Sequence, residues 1–356
     1  MGEADYVSSA KTPGLSCYAF FGFTKMRSAA EKRAMNHDVL QEINAEPLFP
    51  VQSDQHIVFG VDGKFKAHAL ITILSIMKHA GDRVYHFHLI SSELTPADNP
   101  RLARLFQGSR HGVTLHHLPD QLFATLPVTE LFTRATYYRF LAPLILPQAE
   151  KLLYLDADMV CINPLNELWQ IPTGPEAVAL VVGEIASLQP VLAKNAGLRG
   201  ERYFNAGMML IDVAQWRADN ISERAFTLLS EHGRNFQYLD QDALNILLED
   251  KVTFISPRFN TLTMLAHDDH GYTLDVPAET CLIHYAGADK PWQVWNQQFV
   301  VHHYRDIYQD SPLSTMAFDQ PANAQQAKRM YKSLFRQKRW WQAMLWRLKH
   351  IKMRYC

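Results

Sequence analysis

The chain has little cysteine. Four residues among 356, Cys17, Cys161, Cys281 and Cys356, lie far apart and form no C-x-x-C pair. That argues against a zinc ribbon or a disulfide framework and makes a reducing cytosol the default. Long hydrophobic runs are also missing, and none approaches the ~18 residues of a membrane span. Leu15–Phe23 is apolar but short, follows Glu3 and Asp5, and shows no clear cleavage pattern. It reads as a loop or interface segment rather than a signal peptide. No G-x-G-x-x-G follows the first expected strand, which argues against a dinucleotide fold of the usual dehydrogenase type. There is no internal repeat and no low-complexity segment. Net charge is also small, at −1, but it hides an asymmetry. Lys328–Cys356 holds ten Lys and Arg and no acidic residue, which leaves 25 basic against 36 acidic residues in the body. An acidic body with a basic tail suggests that the tail meets something anionic.

What is present is ordinary globular material, 47% hydrophobic and 20% charged, long enough for a large core. Residues 1–54 show little periodicity and read as an N-terminal extension, with one helix near Ser28–Ile43. From His56 the pattern becomes regular. Strands are expected at His56–Val61, Arg83–Ser91 and Val113–Leu118, with helices at Ala67–His79 and Pro96–Gln107 between them. That β-α-β-α-β order points to a mostly parallel, doubly wound sheet. A helix at Thr133–Leu141 carries Arg139. Later strands are expected at Leu152–Leu155, Ala177–Val182, Tyr203–Ile211, Val252–Ile255 and Thr280–Tyr285. Helices are expected at Asn163–Trp169, Val213–Arg217, Arg224–His232 and Gln241–Leu248, and Gln189–Gly200 reads as a helix or loop over the site. The catalytic body spans 55–310, a linker rich in Pro and small polar residues spans 311–327, and the basic tail spans 328–356.

The chemistry concentrates at Lys151–Val160. A buried apolar strand runs into Asp156 and Asp158, and side chains two apart on a strand face one way. Open α/β sheets place ligands at the carboxyl ends of strands. Two carboxylates crowded there repel unless a cation sits between them. D-x-D alone is weak evidence, since a chain of this length holds about one by chance. A second, Asp240 and Asp242, opens a helix, where Asp240 reads most simply as an N-cap. Asp62-Gly63-Lys64 follows the first strand, and its plain reading is a turn. His284 could complete a carboxylate metal site and Lys290 could meet a phosphate, although a lone His is usually structural. In the tail, Trp341, Leu345, Leu348, Ile351 and Tyr355 follow helical spacing, with Arg347, His350 and Arg354 on another side. A basic amphipathic helix with Trp at its edge suits an anionic membrane surface. Packing on the body or RNA binding is the alternative.

Taken in order, these segments resemble glycosyltransferase family 8 over about His56–Gln298. The resemblance is carried by Ile57–Asp62, Tyr138–Phe140, Tyr154–Asp158, Tyr203–Gly207, Leu239–Asn245, and His284-Tyr285 through Lys290–Trp292. It is strongest to the bacterial enzymes that add α-glucose or α-galactose to the lipopolysaccharide core. The resemblance implies an α/β chain with a GT-A (Rossmann-like) nucleotide-sugar transferase fold, here with a C-terminal basic amphipathic helical tail. It implies Mn²⁺ or Mg²⁺ on Asp156, Asp158 and His284. It places Asp62, Arg139 and Gly207 at the donor, Gly287 and Lys290 at the diphosphate, and Asn205, Asp240 and Gln241 around the transferred sugar. Gln241 matches the residue on the β-face of that sugar, with Asp242 a further catalytic candidate and Glu184 a candidate for the acceptor. The partners implied are UDP-glucose or UDP-galactose and the lipopolysaccharide core, at the inner face of the bacterial cytoplasmic membrane. A protein or soluble-glycan acceptor, or an inactive nucleotide-binding module, are the rival readings.

Overall fold

Alternating apolar strands and amphipathic helices give the chain a central sheet covered on both faces. The computed structural model describes residues 40–63, 65–119, 121–129, 132–265 and 273–355. In chain order these form β1 (Asn44–Phe49), β2 (His56–Gly60), α1 (Lys66–Lys78), β3 (His86–Ser91), α2 (Asn99–Phe106) and β4 (Gly112–His117). A 3₁₀ segment (Arg134–Phe140), α3 (Ala142–Ile145), β5 (Lys151–Leu155), β6 (Met159–Cys161), α4 (Asn166–Gln170), β7 (Ala179–Gly183), α5 (Gln189–Ala196) and β8 (Phe204–Asp212) follow. Then come α6 (Val213–Ala218), α7 (Ile221–His232), α8 (Leu239–Leu247), β9 (Val252–Phe254), β10 (Thr261–Leu262), β11 (Leu282–His284), α9 (His302–Gln309), α10 (Ala324–Arg336) and α11 (Trp340–Tyr355).

The main sheet has eight strands in the order β1-β4-β3-β2-β5-β8-β7-β9. Pairs β4-β3, β3-β2, β2-β5 and β7-β9 are parallel, whereas β1-β4, β5-β8 and β8-β7 are antiparallel. The sheet is therefore mixed: the parallel pairs expected of the β-α-β-α-β stretch are present, and antiparallel pairs flank them. Its faces hold separate cores because side chains alternate. Ile57, Phe59, Phe87 and Leu89 pack on one side, and Val58, Leu152, Tyr154 and Met209 on the other. Helix α1 is apolar over most of its surface because it is covered twice. It lies against the sheet core and also against α9, where His68 bonds the Tyr304 hydroxyl at 2.8 Å and stacks on Trp292 at 3.6 Å. A small second sheet, β10-β11-β6, brings β11 antiparallel to β6.

Three boundaries differ from the sequence reading. β1 lies inside the presumed extension and pairs with β4 at the sheet edge. Its side chains are mostly exposed or half-buried, so it carries no apolar signal. The helix expected near Ser28–Ile43 falls almost wholly, and Leu15–Phe23 and Lys64 fall wholly, outside the described residues. The presumed linker packs on the body. Leu313 is buried, Phe318 rests on Tyr308, and Asp319 exchanges backbone hydrogen bonds with Trp292 and Val294. The tail is two helices rather than one. Lys338, in the left-handed region at φ 59°, breaks the chain between α10 and α11, and Ala343 is buried at the turn of the pair. Arg329 of α10 reaches the body, ion-pairing with Asp289 and donating to the Leu265 carbonyl at 2.9 Å and to Asn296 Oδ1 at 2.8 Å.

One stability consequence is testable. His116 is buried, and burial together with neighbouring His86 and His117 pushes its pKa down to about 4. The unfolded chain takes up a proton near pH 6.5, before the folded one does. The stabilisation is thus complete above pH 6.5 and is lost as pH falls toward 4, with a slope up to about 1.4 kcal/mol per pH unit. Urea denaturation between pH 7 and 5 should show this loss, and His116→Gln, which cannot titrate, should make the slope shallower. An unchanged slope in the variant would remove His116 as a source.

Candidate active site

Strand β5 stops at Leu155, so Asp156 and Asp158 sit in the turn between β5 and β6 rather than on a strand. They still converge, because the turn is clamped on three sides. The Asp156 N–H donates to the Gly207 carbonyl of β8 at 2.8 Å. The Tyr285 N–H, just past β11, donates to the Asp158 carbonyl at 3.0 Å. From α1, the Thr72 hydroxyl donates to the carbonyl of Met159 at 2.7 Å, with that of Ala157 at 3.2 Å. Antiparallel register then sets His284 opposite Met159, although the two are far apart in sequence.

One ligand atom each from Asp156, Asp158 and His284 lie within 4.8 Å of one another. His284 Nε2 stands 3.3 Å from Asp158 Oδ1 and 4.0 Å from Asp156 Oδ2. The other ring nitrogen is fixed by a chain of amides. Nδ1 faces Asn260 Oδ1 at 3.0 Å, Asn260 Nδ2 donates to Asn205 Oδ1 at 3.0 Å, and Asn205 Nδ2 donates to Glu184 Oε2 at 2.9 Å. The carboxylate can only accept, so the chain has one direction, and His284 must donate from Nδ1. Its Nε2 lone pair is left pointing at the two aspartates.

The residues fit a divalent cation on independent grounds. Asp158 Oδ1 is buried, and among the described residues no group donates a hydrogen bond to it. Gly207 faces the same gap. A Cβ there would lie 2.5 Å from His284 Cε1 and 2.8 Å from Asp156 Oδ2, so only glycine leaves the space open. Two hard carboxylates and one imidazole suit Mn²⁺ or Mg²⁺ better than a soft ion. Burial alone would raise the Asp158 pKa, but the Lys290 ammonium outweighs it, helped by His284 only when that ring also carries a proton on Nε2, and the group is held well below the usual carboxylate range. Lys290 pairs with Asp158 Oδ2 and donates to the Tyr285 carbonyl at 2.8 Å.

Arg139 joins this cluster to α8. Its guanidinium donates to Asp156 Oδ1 at 2.8 Å and to the Ala206 carbonyl at 2.6 Å, and it pairs with Asp240 Oδ2 at 3.0 Å. It also lies over the Tyr154 ring, 4.7 Å from the centroid. Burial would lower its pKa, but Asp156 and Asp240 more than offset that and keep it charged. Asp240 is therefore not the helix cap that the pattern suggested. The N-cap is Tyr238, and Leu239 enters the helix at φ 30°. Burial lifts the Asp240 pKa to about 6, against the pull of Arg139. Gln241 Oε1 accepts from the Ala206 N–H at 3.0 Å, beside Asn205 and Gly207.

Other expected residues are placed differently. Asp242 is turned to the Tyr203 hydroxyl and to the Tyr238 N–H at 2.9 Å, so both of its oxygens anchor the start of α8. The Asp62-Gly63 segment is a turn at the end of β2, where the Asp62 carbonyl accepts from Phe65 and Lys66 at 3.0 Å. Among the described residues, its carboxylate meets the Phe65 N–H at 3.4 Å. Gly287 has φ 82° and opens the loop that leads to Lys290. Asn260, Thr72 and the part played by Glu184 in orienting Asn205 carried no sequence signal. Each works through its place in the fold rather than through a motif.

Comparison with known proteins gives one picture. The glycosyl transferase family 8 model matches residues 56–296. The lipopolysaccharide 1,3-galactosyltransferase of Salmonella typhimurium is 31% identical over 291 residues, 80% of this chain and 86% of that one. The lipopolysaccharide glucosyltransferase WaaO of Escherichia coli K12 is 30% identical, over 80% of this chain and 86% of that one. Among solved structures, galactosyltransferase LgtC, crystallised with donor and acceptor sugar analogs, superposes with a TM-score of 0.63 at 24% identity, covering 72% of this chain and 96% of that one. The chain belongs to glycosyl transferase family 8 and is a glycosyltransferase of GT-A fold.

Proposed function

We propose that this chain transfers an α-hexose, glucose or galactose, from its UDP-sugar to the growing lipopolysaccharide core, with retention and with Mn²⁺ or Mg²⁺. The observation that carries the reading is the link from Asp156, Asp158 and His284 through Arg139 to Asp240 and Gln241. It puts a candidate cation site and the polar start of α8 on one set of contacts, with Arg139 and Gln241 both bonded to the Ala206 backbone. The names of the lipopolysaccharide transferases at 30–31% identity support the acceptor class.

Asp156, Asp158 and His284 would hold the ion, which supplies neutralising charge for the leaving diphosphate. Lys290 adds a second cation there, exchanging Asp158 for phosphate oxygen, and the left-handed Gly287 lets the backbone approach. Asp62 and Arg139 complete the donor site. Asn205, Gly207 and Asp240 frame the transferred sugar. Gln241 presents an amide oxygen to its β-face. An amide is a poor nucleophile, so its part is to stabilise positive charge at the anomeric carbon while the acceptor hydroxyl enters from the leaving-group side. Asp242, held by Tyr203 and Tyr238, anchors the start of α8, the helix that carries Gln241.

The second part of the reading concerns the membrane. Trp341, Met344, Leu345, Leu348 and Ile351 of α11 are exposed, among Arg347, Lys349, Lys352 and Arg354. No described helix is long and apolar enough to cross a membrane. Such a helix suits the surface of an anionic leaflet, with the protein peripheral on the cytoplasmic side.

Radiolabelled UDP-glucose and UDP-galactose, supplied with truncated lipopolysaccharide and Mn²⁺, test the core of the proposal. Transfer from one donor is expected, and no transfer from either, with no UDP release, would sink it. Asp156→Ala with Asp158→Ala should lower turnover on the order of 10²-fold or more without unfolding. Gly207→Ala, which fills the gap between Asp156 and His284, should weaken Mn²⁺ binding roughly 10–100-fold by calorimetry. For the tail, ending the chain at Lys338 removes α11 alone. That truncation should weaken sedimentation with anionic liposomes and spare donor hydrolysis. Unchanged liposome binding would refute the assignment of α11. Ending the chain at Ala327 also removes Arg329 and should impair donor binding.

A further inference from the structure

A second concentration of imidazoles lies on the main sheet, outside the transferase site. His56 opens β2, His86 opens β3, and His88 follows two residues on. Register pairs His56 with His86, Val58 with His88 and His88 with Thr114, so all three histidines share the sheet face of Val58 and Ile90. His116 of β4, opposite Ile90, is on that face too. His56 Nδ1 is 3.1 Å from His88 Nε2, and His88 Nδ1 is 3.0 Å from His116 Nε2. His86 Nε2 is 2.8 Å from the Thr114 hydroxyl. One ring nitrogen each from His56, His86 and His88 lie within 4.8 Å of one another.

We propose that His56, His86 and His88 form a second metal site, one that takes a borderline transition-metal ion such as Zn²⁺. Three features of the geometry support it. Two neighbouring strands of a covered sheet hold the three donors, so they are pre-placed rather than gathered from flexible loops. Zinc–imidazole bonds of about 2.0–2.1 Å set ligand nitrogens roughly 3.4 Å apart, within reach of small ring rotations. His116 supplies the outer partner. When His88 donates from Nδ1 to His116, its Nε2 is left as a lone pair.

The donor chemistry separates this site from the first. Three imidazoles without a carboxylate select Zn²⁺, Cu²⁺ or Ni²⁺, whereas Asp156, Asp158 and His284 select harder ions. His56 and His86 are half-buried and His88 is buried, so one side of the site stays open to a water ligand. No net proton is released on binding. His56 protonates at Nε2 and His88 at Nδ1, and both remain neutral. An ion here would tie β2 to β3 and stabilise the fold by mass action. The inference does not depend on the proposed sugar transfer.

The test uses untagged full-length protein carrying Asp156→Ala and Asp158→Ala, so that the first site is silent. Equilibrium dialysis with micromolar Zn²⁺ at pH 7.5 should give one ion per chain, with a raised Tm. Co²⁺ should give the intense visible bands of four-coordinate geometry. His56→Gln and His86→Gln sit at half-exposed positions, and each should weaken Zn²⁺ at least about tenfold. No bound Zn²⁺, or binding unchanged in both variants, overturns the proposal and leaves the imidazoles as a hydrogen-bonded column. Loss of the ion with His303→Gln instead would assign it to a third cluster, the exposed Asp275 with the half-buried His302 and His303, and overturn the proposal as well.

Discussion

The site depends on one buried guanidinium. Arg139 meets Asp156, Asp240, the Ala206 carbonyl and the Tyr154 ring at once. Those partners come from the D-x-D turn, α8, β8 and β5, so a single side chain fixes the spacing of four elements. A planar fork suits this task where an ammonium does not, since its donors leave in fixed directions. Two carboxylates this close to a third, Asp158, would repel without it. Removing one member of such a buried group costs roughly 3–5 kcal/mol, because the others are left without compensation. Arg139 therefore has a structural reason to be where it is, apart from any contact with a donor.

Much of this was legible in the sequence, for identifiable reasons. β2 and β5 show as short apolar runs and β3 as an alternation, so these strands and the carboxylates after β5 could be read directly. The antiparallel course of β8 could not, since a strand buried on both faces looks the same in either direction. Yet that course matters most for the site, because it lays the start of β8, with Asn205 to Gly207, beside the end of β5. β1 was missed because an exposed edge strand has no apolar pattern to read. The break between α10 and α11 was missed for another reason. A left-handed Lys338 carries no signal of the kind glycine or proline would give.

Asn260 illustrates a further limit. It adjoins β10 in sequence and matches nothing by itself. Its role exists only because β10, β11 and β6 pair, which places its amide between His284 and Asn205. The aspartates and His284 could be read because carboxylate spacing and imidazole chemistry are properties of residue type. The direction of a hydrogen-bond chain is a property of the assembled fold. Glu184 shows both sides. Its segment was marked as a candidate for acceptor contacts, and the structure shows that one of its oxygens is already engaged by Asn205.

Arg329 has a consequence beyond its own contacts. It grips Asn296, whose Nδ2 in turn donates to the Lys290 carbonyl at 3.0 Å, so α10 and the lysine of the site share one amide. Thermodynamic reciprocity applies to any such arrangement. Whatever coupling free energy passes from the helical pair to Lys290 passes back with equal size. Any change that shifts Asn296 would therefore be felt at both ends, at α10 and at the Lys290 carbonyl, because the same amide serves both.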